Sequence, residues 1–306
     1  SRLLLYYKII VIVEYIFYSK KNTLYSSFSE QPKTLDPAKA YSSNEYLFLN
    51  QIYEPVLSYH YLKRPYELEP QVLTKMPTQT RRYNKGIEQT IYTFELQKNI
   101  HYQPHPAFAK NEKGDYRYIP LEKNFLETHD INHLSDFKHM GTRELVAEDY
   151  LYQIKRLADP KIGSPIASLL SEHIVGFKDF SEKLISLRQK KQKVSLKTRA
   201  FEGIKLIDKY HYQIILKGNY PQFNFWLAMP FFSPVPWEAV AFYHQAGMTD
   251  RNLSLNWYPV GTGPFMLVEN NPNRAMVLQK NPNYHPVYYP SEGSRSDKAK
   301  GYLKYA

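Results

Sequence analysis

The stretch WYPVGTGPF occupies residues 257–265, and MLVENNPNRAMVLQKNPNY follows it as far as Tyr284. Two glycines and a proline indicate a stiff turn that leads into a strand. The apolar runs 265–268 and 275–279 flank NNPN at 270–273, and Asn and Pro are turn-forming residues. The sequence therefore predicts a β-hairpin here. Gly-Thr-Gly-Pro lacks the further residues of a dinucleotide- or phosphate-binding loop, so it predicts no nucleotide site.

Four other segments have clear secondary-structure patterns. Residues 44–53 are predicted to form a helix capped by Asn44, because apolar residues recur near helical spacing. Residues 91–96 alternate between apolar and polar side chains, which predicts a strand. Residues 147–158 are predicted to form an amphipathic helix with acidic residues in its first turn and basic residues in its last. A strand pair is predicted over residues 203–217.

Seven short segments follow one another in an order that is informative as a set. They are LDP at 35–37, YEPVL at 53–57, TFEL at 93–96, LVAED at 145–149, RLADP at 156–160, GTGP at 261–264 and NPNY at 281–284. In this order they resemble the family 5 extracellular solute-binding proteins, the oligopeptide-binding proteins of ABC importers. The sequence departs from the family pattern at Val146, where Thr is usual, and at QKN 97–99. An insertion rich in charge and histidine occupies residues 109–139.

The fold class expected from the irregular alternation of strands and helices is α/β with mixed sheets. The resemblance implies the two-lobed class II periplasmic-binding architecture. Residues 22–52 and 206–285 are expected to form a discontinuous first lobe, and residues 53–205 a smaller inserted lobe. Residues 286–306 are expected to be a linker to a C-terminal lobe that this sequence lacks.

The N-terminal segment, residues 1–21, is left unassigned. Residues 3–18 are apolar but contain Lys8 and Glu14, which makes them too short and too charged for a membrane span. They also lack a small-residue cleavage site, so they make a poor export signal. The resemblance nevertheless implies a periplasmic location, and we expect the true export signal to be lost from this sequence.

Charge and cysteine content narrow the possible functions. The chain has 306 residues, a net charge of +11 and no cysteine, which excludes disulfides, thiolate zinc sites and a cysteine nucleophile. The basic excess is concentrated in residues 178–199, a tract that we interpret as a solvated helix or loop. The alternative is a basic peripheral protein that binds anionic lipid or nucleic acid, although no nucleic-acid motif accompanies the tract.

No pattern in the sequence predicts an enzyme. A Gly-x-Ser-x-Gly nucleophile elbow is absent. The adjacent carboxylates of Glu148 and Asp149 would point to different sides of a helix, so we interpret them as charges in its first turn rather than as an acid–base pair. Asp36, which precedes Pro37, is interpreted as a turn-capping carboxylate.

Histidine spacing gives only weak grounds for a metal site. His101 and His105 are separated by three residues, but the prolines at 104 and 106 prevent the helix that would bring them together. His129 and His133 have the same spacing and lack the glutamate of a zinc-protease motif. We expect no metal and no cofactor; the alternative is a metal or haem receptor on the same scaffold.

Binding is the function that the resemblance implies. In the family, the loop after Leu-Asp-Pro offers main-chain groups to the ligand, and here the matching residues are Tyr41, Ser42, Ser43 and Asn44. The alternative is an ordinary surface turn before a helix. The implied partners are a peptide ligand and the ABC permease subunits of the inner membrane, with no nucleic acid, and the protein is expected to be a monomer.

The three tryptophans allow two interpretations. Trp226, Trp237 and Trp257 could line a pocket, but aromatic residues in such apolar stretches more often belong to the core.

Overall fold

A computed structural model describes residues 23–28, 30–271 and 273–288. The chain divides into two units between Gln31 and Pro32. The described residues of the first unit contain no helix or strand. The N-terminal segment 1–21 and residues 289–306 of the predicted linker lie outside the described residues.

The second unit contains both helices and antiparallel strands, which confirms the mixed α/β fold. Its strands are β1 Leu57–Tyr59, β2 Leu68–Pro70, β3 Thr78–Asn84, β4 Ile87–Glu95, β5 Ile204–Leu206, β6 His211–Lys217, β7 Phe265–Asn271 and β8 Ala275–Lys280. Its α-helices are α1 Ser43–Ile52, α2 Phe125–Thr128, α3 Ala147–Leu157, α4 Ala167–His173, α5 Phe177–Gln189, α6 Phe223–Trp226 and α7 Trp237–Tyr243. Single 3₁₀ turns occur at Pro106–Phe108, Leu134–Asp136, Pro230–Phe232 and Thr249–Arg251.

The largest sheet has the strand order β3-β4-β6-β5, and β1-β2 and β7-β8 form separate two-stranded sheets. Phe94 of β4 is paired with Tyr212 of β6, and their rings stack 4.5 Å apart. The ring of Tyr150 on α3 stacks on Tyr212 at 5.6 Å, and all three side chains are buried. Helix α3 therefore covers one face of the sheet through aromatic contacts. The predicted strand at 91–96 and the strand pair at 203–217 are confirmed.

Helix α1 confirms the predicted helix but begins earlier than expected. Its N-cap is Ser42, whose hydroxyl accepts a hydrogen bond from the Glu45 N–H at 3.3 Å, while the Glu45 carboxylate accepts one from the Ser42 N–H at 3.0 Å. This reciprocal capping box satisfies two helix donors at once, so Ser42 rather than Asn44 starts the helix.

Helix α3 lies close to the predicted range, and several of its charged residues are buried: Asp149, Lys155 and Arg156. The carboxylate of Asp149 accepts from Val146 N–H at 3.1 Å, as a first-turn acid should, and it is also buried. The guanidinium of Arg143 donates to both Asp149 oxygens at 2.7 and 2.8 Å and to both Glu238 oxygens at 2.7 Å. Asp149 therefore has a second role, because this buried network ties the start of α3 to α7.

The predicted hairpin is present as β7 and β8, and the glycines before it pack against the end of α1. The N–H of Gly263 donates to the carbonyl of Ile52 at 2.8 Å. A Cβ atom added at Gly261 or Gly263 would overlap that same carbonyl. Gln103 fixes the segment from the other side, because Gly261 N–H donates to its side-chain oxygen at 3.1 Å and Gly261 C=O accepts from its N–H at 3.0 Å.

The basic tract forms α5 and the exposed segment that follows it, as expected for a solvated helix and loop. Among the described residues, no helix has the length and apolar character needed to cross a membrane. The division into two lobes stays a prediction.

Replacing Gly261 by Ala should destabilise the protein by about 3 kcal/mol or more, because the new methyl group overlaps backbone that cannot rotate away. Gly114→Ala is the matched control: Gly114 has φ +86° and open space around its Cβ position. That control should cost only about 1–2 kcal/mol for the left-handed conformation. Urea unfolding of both variants measures the difference, and equal losses would contradict the steric explanation.

Candidate functional site

The loop that leads into α1 is built on the Leu-Asp-Pro segment. The Leu35 N–H donates to the Asn256 carbonyl at 2.8 Å, which fixes the start of the loop. One Asp36 carboxylate oxygen accepts from Ala38 N–H at 3.0 Å, and the Asp36 carbonyl accepts from Lys39 and Ala40 N–H at 3.0 Å. Asp36 is therefore the turn-forming carboxylate that the sequence predicts, and the turn sets the direction in which the chain reaches α1.

Asp36 also has a partner that the sequence alone did not identify. The Arg156 guanidinium donates to its two oxygens at 2.6 and 3.0 Å, and both side chains are about 95% buried or more. Burial by itself raises the pKa of the Asp36 carboxyl, but the charge and hydrogen bonds of Arg156 outweigh it, so the pKa lies below its ordinary value. The pair stays ionised and ties the loop to the last turn of α3.

Gln153 extends this network to the next element. Its side-chain oxygen accepts from Arg156 at 2.8 Å, and its amide nitrogen donates to the Phe231 carbonyl at 3.0 Å. Phe231 in turn lies beneath the ring of Tyr41, with 5.8 Å between ring centroids. A continuous set of contacts therefore positions Tyr41, the first residue of the predicted site.

The four predicted site residues lie together at the N-terminus of α1. Tyr41 is 60% exposed, and Ser42 and Ser43 are exposed as well. The N–H groups of Tyr41 and Ser42 both donate to one oxygen of Glu45, at 2.8 and 3.0 Å. These two donors serve the helix cap, so a ligand would use the other main-chain groups of the loop and the Tyr41 ring. The assignment of Tyr41, Ser42, Ser43 and Asn44 to ligand binding stays a prediction.

A second polar cluster, which sequence reasoning missed, is buried near the Gly-Thr-Gly segment. Glu54 is fully buried, and its two oxygens contact Thr262 Oγ1 and His285 Nε2, each at 2.8 Å. The Tyr150 hydroxyl donates to the Glu54 carbonyl at 3.2 Å. The cluster holds residue 285 against the end of α1. The sequence signal that could have predicted it is the position of Glu54 inside the otherwise apolar run IYEPVL at 52–57, because a carboxylate buried with such a run needs a polar partner.

A small cleft lies beside the loop that leads into α1. It is lined by Pro32, Lys33, Leu35, Asn256, Trp257, Asn270 and Met276. Its cavity volume of about 20 Å³ is far below the roughly 300–1,000 Å³ of ordinary ligand pockets, so it is too small for an oligopeptide. Trp257 contributes to a cleft wall, and all three tryptophans are half-buried, so the core interpretation is wrong for them.

The histidines of the insertion lie on its surface. His129 stacks on Phe125 at 4.0 Å and points one ring nitrogen at the Phe125 carbonyl, while the His133 N–H donates to Asp136 at 2.7 Å. No group of three His, Cys, Asp or Glu side chains with metal-binding geometry occurs in the described part of the chain.

His105 differs from these histidines because it is buried. Its two ring nitrogens contact Tyr243 Oη at 2.8 Å and Ala107 N–H at 3.1 Å. Since the second nitrogen accepts a hydrogen bond, the ring is neutral, and burial lowers its pKa to about 3. His105 therefore has a structural role between the insertion and α7.

Comparison with known proteins identifies relatives for this arrangement. The family model described as bacterial extracellular solute-binding proteins, family 5 Middle, matches residues 139–305. The periplasmic oligopeptide-binding protein OppA of Salmonella typhimurium is 30% identical over 141 residues, which cover 46% of this chain and 23% of OppA.

Solved structures show the same fold at lower identity. The pheromone receptor PrgZ has a TM-score of 0.54 and 18% identity, and the match covers 84% of this chain and 39% of PrgZ. The murein tripeptide binding protein MppA of Escherichia coli has a TM-score of 0.51 and 21% identity, covering 84% and 38%. The chain thus matches less than two fifths of the length of each of these proteins.

Changing Asp36 to Asn should destabilise the protein by about 3–5 kcal/mol, because it leaves the buried Arg156 without a counter-charge. The matched control is Glu67→Gln, which breaks the exposed Lys63–Glu67 pair and should change the free energy of unfolding by less than about 1 kcal/mol. Urea unfolding compares the two, and a small effect at Asp36 would show that the buried pair is dispensable.

The pKa of His105 predicts a pH dependence of stability. Below pH 6.5 the unfolded chain takes up a proton that the folded protein excludes, so stability should fall as the pH is lowered from 6.5 towards 3. His105→Gln should reduce this slope by up to about 1.4 kcal/mol per pH unit. Unfolding curves at several pH values measure it, with His129→Gln as an exposed control. Identical slopes in wild type and His105→Gln would contradict the assignment.

Proposed function

Because this chain belongs to the family 5 bacterial extracellular solute-binding proteins, we propose that it is the substrate-binding subunit of an ABC importer that captures oligopeptides. Family membership places it among proteins that bind solutes rather than among enzymes, and outside the cytoplasm. The periplasm is the compartment that we propose, with permease subunits of the inner membrane as the receiving partner. The match to the family over more than half of the chain is the observation that carries this proposal.

The choice of oligopeptides is supported by the relatives. The curated relative with 30% identity is named as an oligopeptide-binding protein, and a dipeptide-binding protein of Lactococcus lactis is 29% identical over 171 residues. A receptor for peptides of varied sequence has to recognise what all peptides share, which is the main chain. We propose that the peptide adds to the loop at residues 41–44 in an extended conformation.

The surroundings of that loop suit such a role. The Asp36–Arg156 pair and the capping box hold the loop in one conformation before any ligand arrives, which lowers the entropic cost of binding. The exposed Tyr41 ring provides an apolar surface for a ligand side chain without a specific polar contact. Residues 22–52 with 206–285 and residues 53–205 would line one side of the cleft, and an opposing lobe would close over the peptide by a hinge motion.

The affinity of the 306-residue chain itself should be modest. It corresponds to less than two fifths of the length of the solved relatives, so we expect it to contribute one wall of the binding cleft. Contacts from an opposing lobe add to affinity only when both walls are present.

A titration with paired peptides tests main-chain capture. Amide NMR shifts of the chain should respond to an unmodified pentapeptide and to a second one with different side chains. They should not respond to the first peptide after backbone N-methylation, because the methyl groups remove the main-chain donors. Equal binding of the methylated peptide would exclude main-chain recognition.

Changing Tyr41 to Ala tests the position of the site. The affinity for the unmodified peptide should fall roughly five- to tenfold, or about 1–1.4 kcal/mol, through loss of the ring. Tyr83→Ala is the matched control, since Tyr83 is a 77% exposed tyrosine on β3. If both variants bind as the wild type does, the site lies elsewhere even though the protein binds peptides.

A further inference from the structure

The basic tract of the sequence has no part in the proposed peptide site. Residues 178–199 contain eight Lys or Arg residues and only two acidic residues, Asp179 and Glu182. The tract therefore holds over half of the chain's net charge of +11. The structure divides these cations into two groups, those that contact other parts of the protein and those that do not.

Three of the cations have structural partners. Arg188 donates to both oxygens of Asp159 at 2.6 Å. Lys178 lies 4.0 Å from the Glu182 carboxylate, and the Lys197 ammonium lies 3.6 Å above the Trp237 ring. The Arg188 and Lys197 contacts help to attach α5 and its following segment to the rest of the fold, whereas the Lys178–Glu182 pair lies within α5 itself.

Of the other five cations, Arg199 is half-buried and four are lysines, which we call the lysine patch: Lys183, Lys190, Lys191 and Lys193. All four are exposed, and none forms an ion pair with any residue that the structure describes. Lys183 and Lys190 are seven positions apart on α5, so they share one side of the helix. After Lys190 the chain turns back through Lys191, with φ +57°, and the next N–H donates to the Leu187 carbonyl at 2.9 Å. Lys190, Lys191 and Lys193 therefore lie at the C-terminal end of α5, and Lys183 lies about two turns before them.

The helix dipole does not explain the whole patch. A cation beside the last turn, such as Lys190, is favoured by the carbonyls at the helix end. That effect is confined to the last turn, so it does not extend to Lys183 in the preceding turns. Four exposed charges of one sign that form no ion pair with any described residue are better explained by an anionic partner.

We propose that the lysine patch binds the anionic headgroups of a lipid bilayer. Lysines act as point charges that attract phosphate headgroups without a fixed geometry. Nucleic acid is a poorer match, because Arg188 is already held by Asp159, and the aromatic residues of α5, Phe177 and Phe180, are buried and offer no ring to a base. Ile185, which is 42% exposed on the same helix, is compatible with an interfacial position.

The consequence for function is a loose attachment of the protein to a membrane surface. The attachment is independent of peptide binding, since α5 carries none of the proposed site residues. A binding protein held near the bilayer would meet a membrane-embedded partner more often than one free in solution.

Vesicle co-sedimentation of the full 306-residue chain tests the proposal. The chain should bind vesicles of equal parts phosphatidylglycerol and phosphatidylcholine at low ionic strength, and it should dissociate from them at high salt. It should not bind vesicles of pure phosphatidylcholine. Each Lys→Gln change in the patch should lower the partition coefficient about fivefold, the equivalent of about 1 kcal/mol per lysine. The K183Q/K190Q/K191Q/K193Q variant should therefore lose essentially all binding.

Two further variants make the result specific. K85Q/K113Q/K123Q/K138Q removes four exposed lysines elsewhere and should retain most of the binding. K183Q/K193Q leaves the helix end intact and should still lose about twenty-fivefold, so a loss of folding in the quadruple variant cannot be mistaken for a loss of binding. Equal losses in the patch and control variants would overturn the proposal. Equally tight, patch-dependent binding of single-stranded RNA or polyglutamate would overturn the assignment to lipid.

Discussion

The close approach of Gly261 and Gly263 to the last turn of α1 is the constraint on which this structure depends. The two segments are about 200 residues apart in sequence, and the Ile52 carbonyl accepts the Gly263 N–H because no side chain keeps the backbones apart. The carbonyl is one of those that a helix leaves unpaired at its end, so the glycine segment also completes α1. The hairpin β7–β8 follows directly, and its position is therefore set by this contact.

Around that contact the separate sequence segments pair with one another. Tyr-Glu-Pro supplies Glu54 to Thr262 of Gly-Thr-Gly-Pro, and Asn281 of Asn-Pro-Asn-Tyr donates its side-chain amide to the Gly263 carbonyl at 2.9 Å. Leu-Asp-Pro pairs in the same way with Arg-Leu-Ala-Asp-Pro, through Asp36 and Arg156. The ordered segments therefore mark where the chain contacts itself, which is a structural reason for them to occur together.

Much of the fold could be predicted because it depends on local patterns. The hairpin, the strand at 91–96 and the helices at α1 and α3 follow from periodicity and turn residues within one window of sequence. The partners of charged residues could not be predicted in that way. Arg156 has the sequence position of a solvated cation at a helix end, and only the fold places it against Asp36. The predicted N-cap of α1, Asn44, lies two residues after the observed one, Ser42. Ser and Asn are nearly equivalent as N-caps, and the reciprocal hydrogen bonds with Glu45 decide between them.

The candidate site was predictable only through the resemblance, since Tyr41–Asn44 carry no chemistry of their own. A surface that binds main chains needs no reactive side chain, but it needs a backbone that does not move. Three buried charged residues meet that need: Asp36, Arg156 and Glu45 are all removed from solvent, and each forms hydrogen bonds that hold the loop or the helix cap. The lysine patch shows the opposite arrangement, with charge that is exposed and unpaired. The charges that position the loop and the helix cap are thus buried with partners, whereas those of the lysine patch are exposed to solvent.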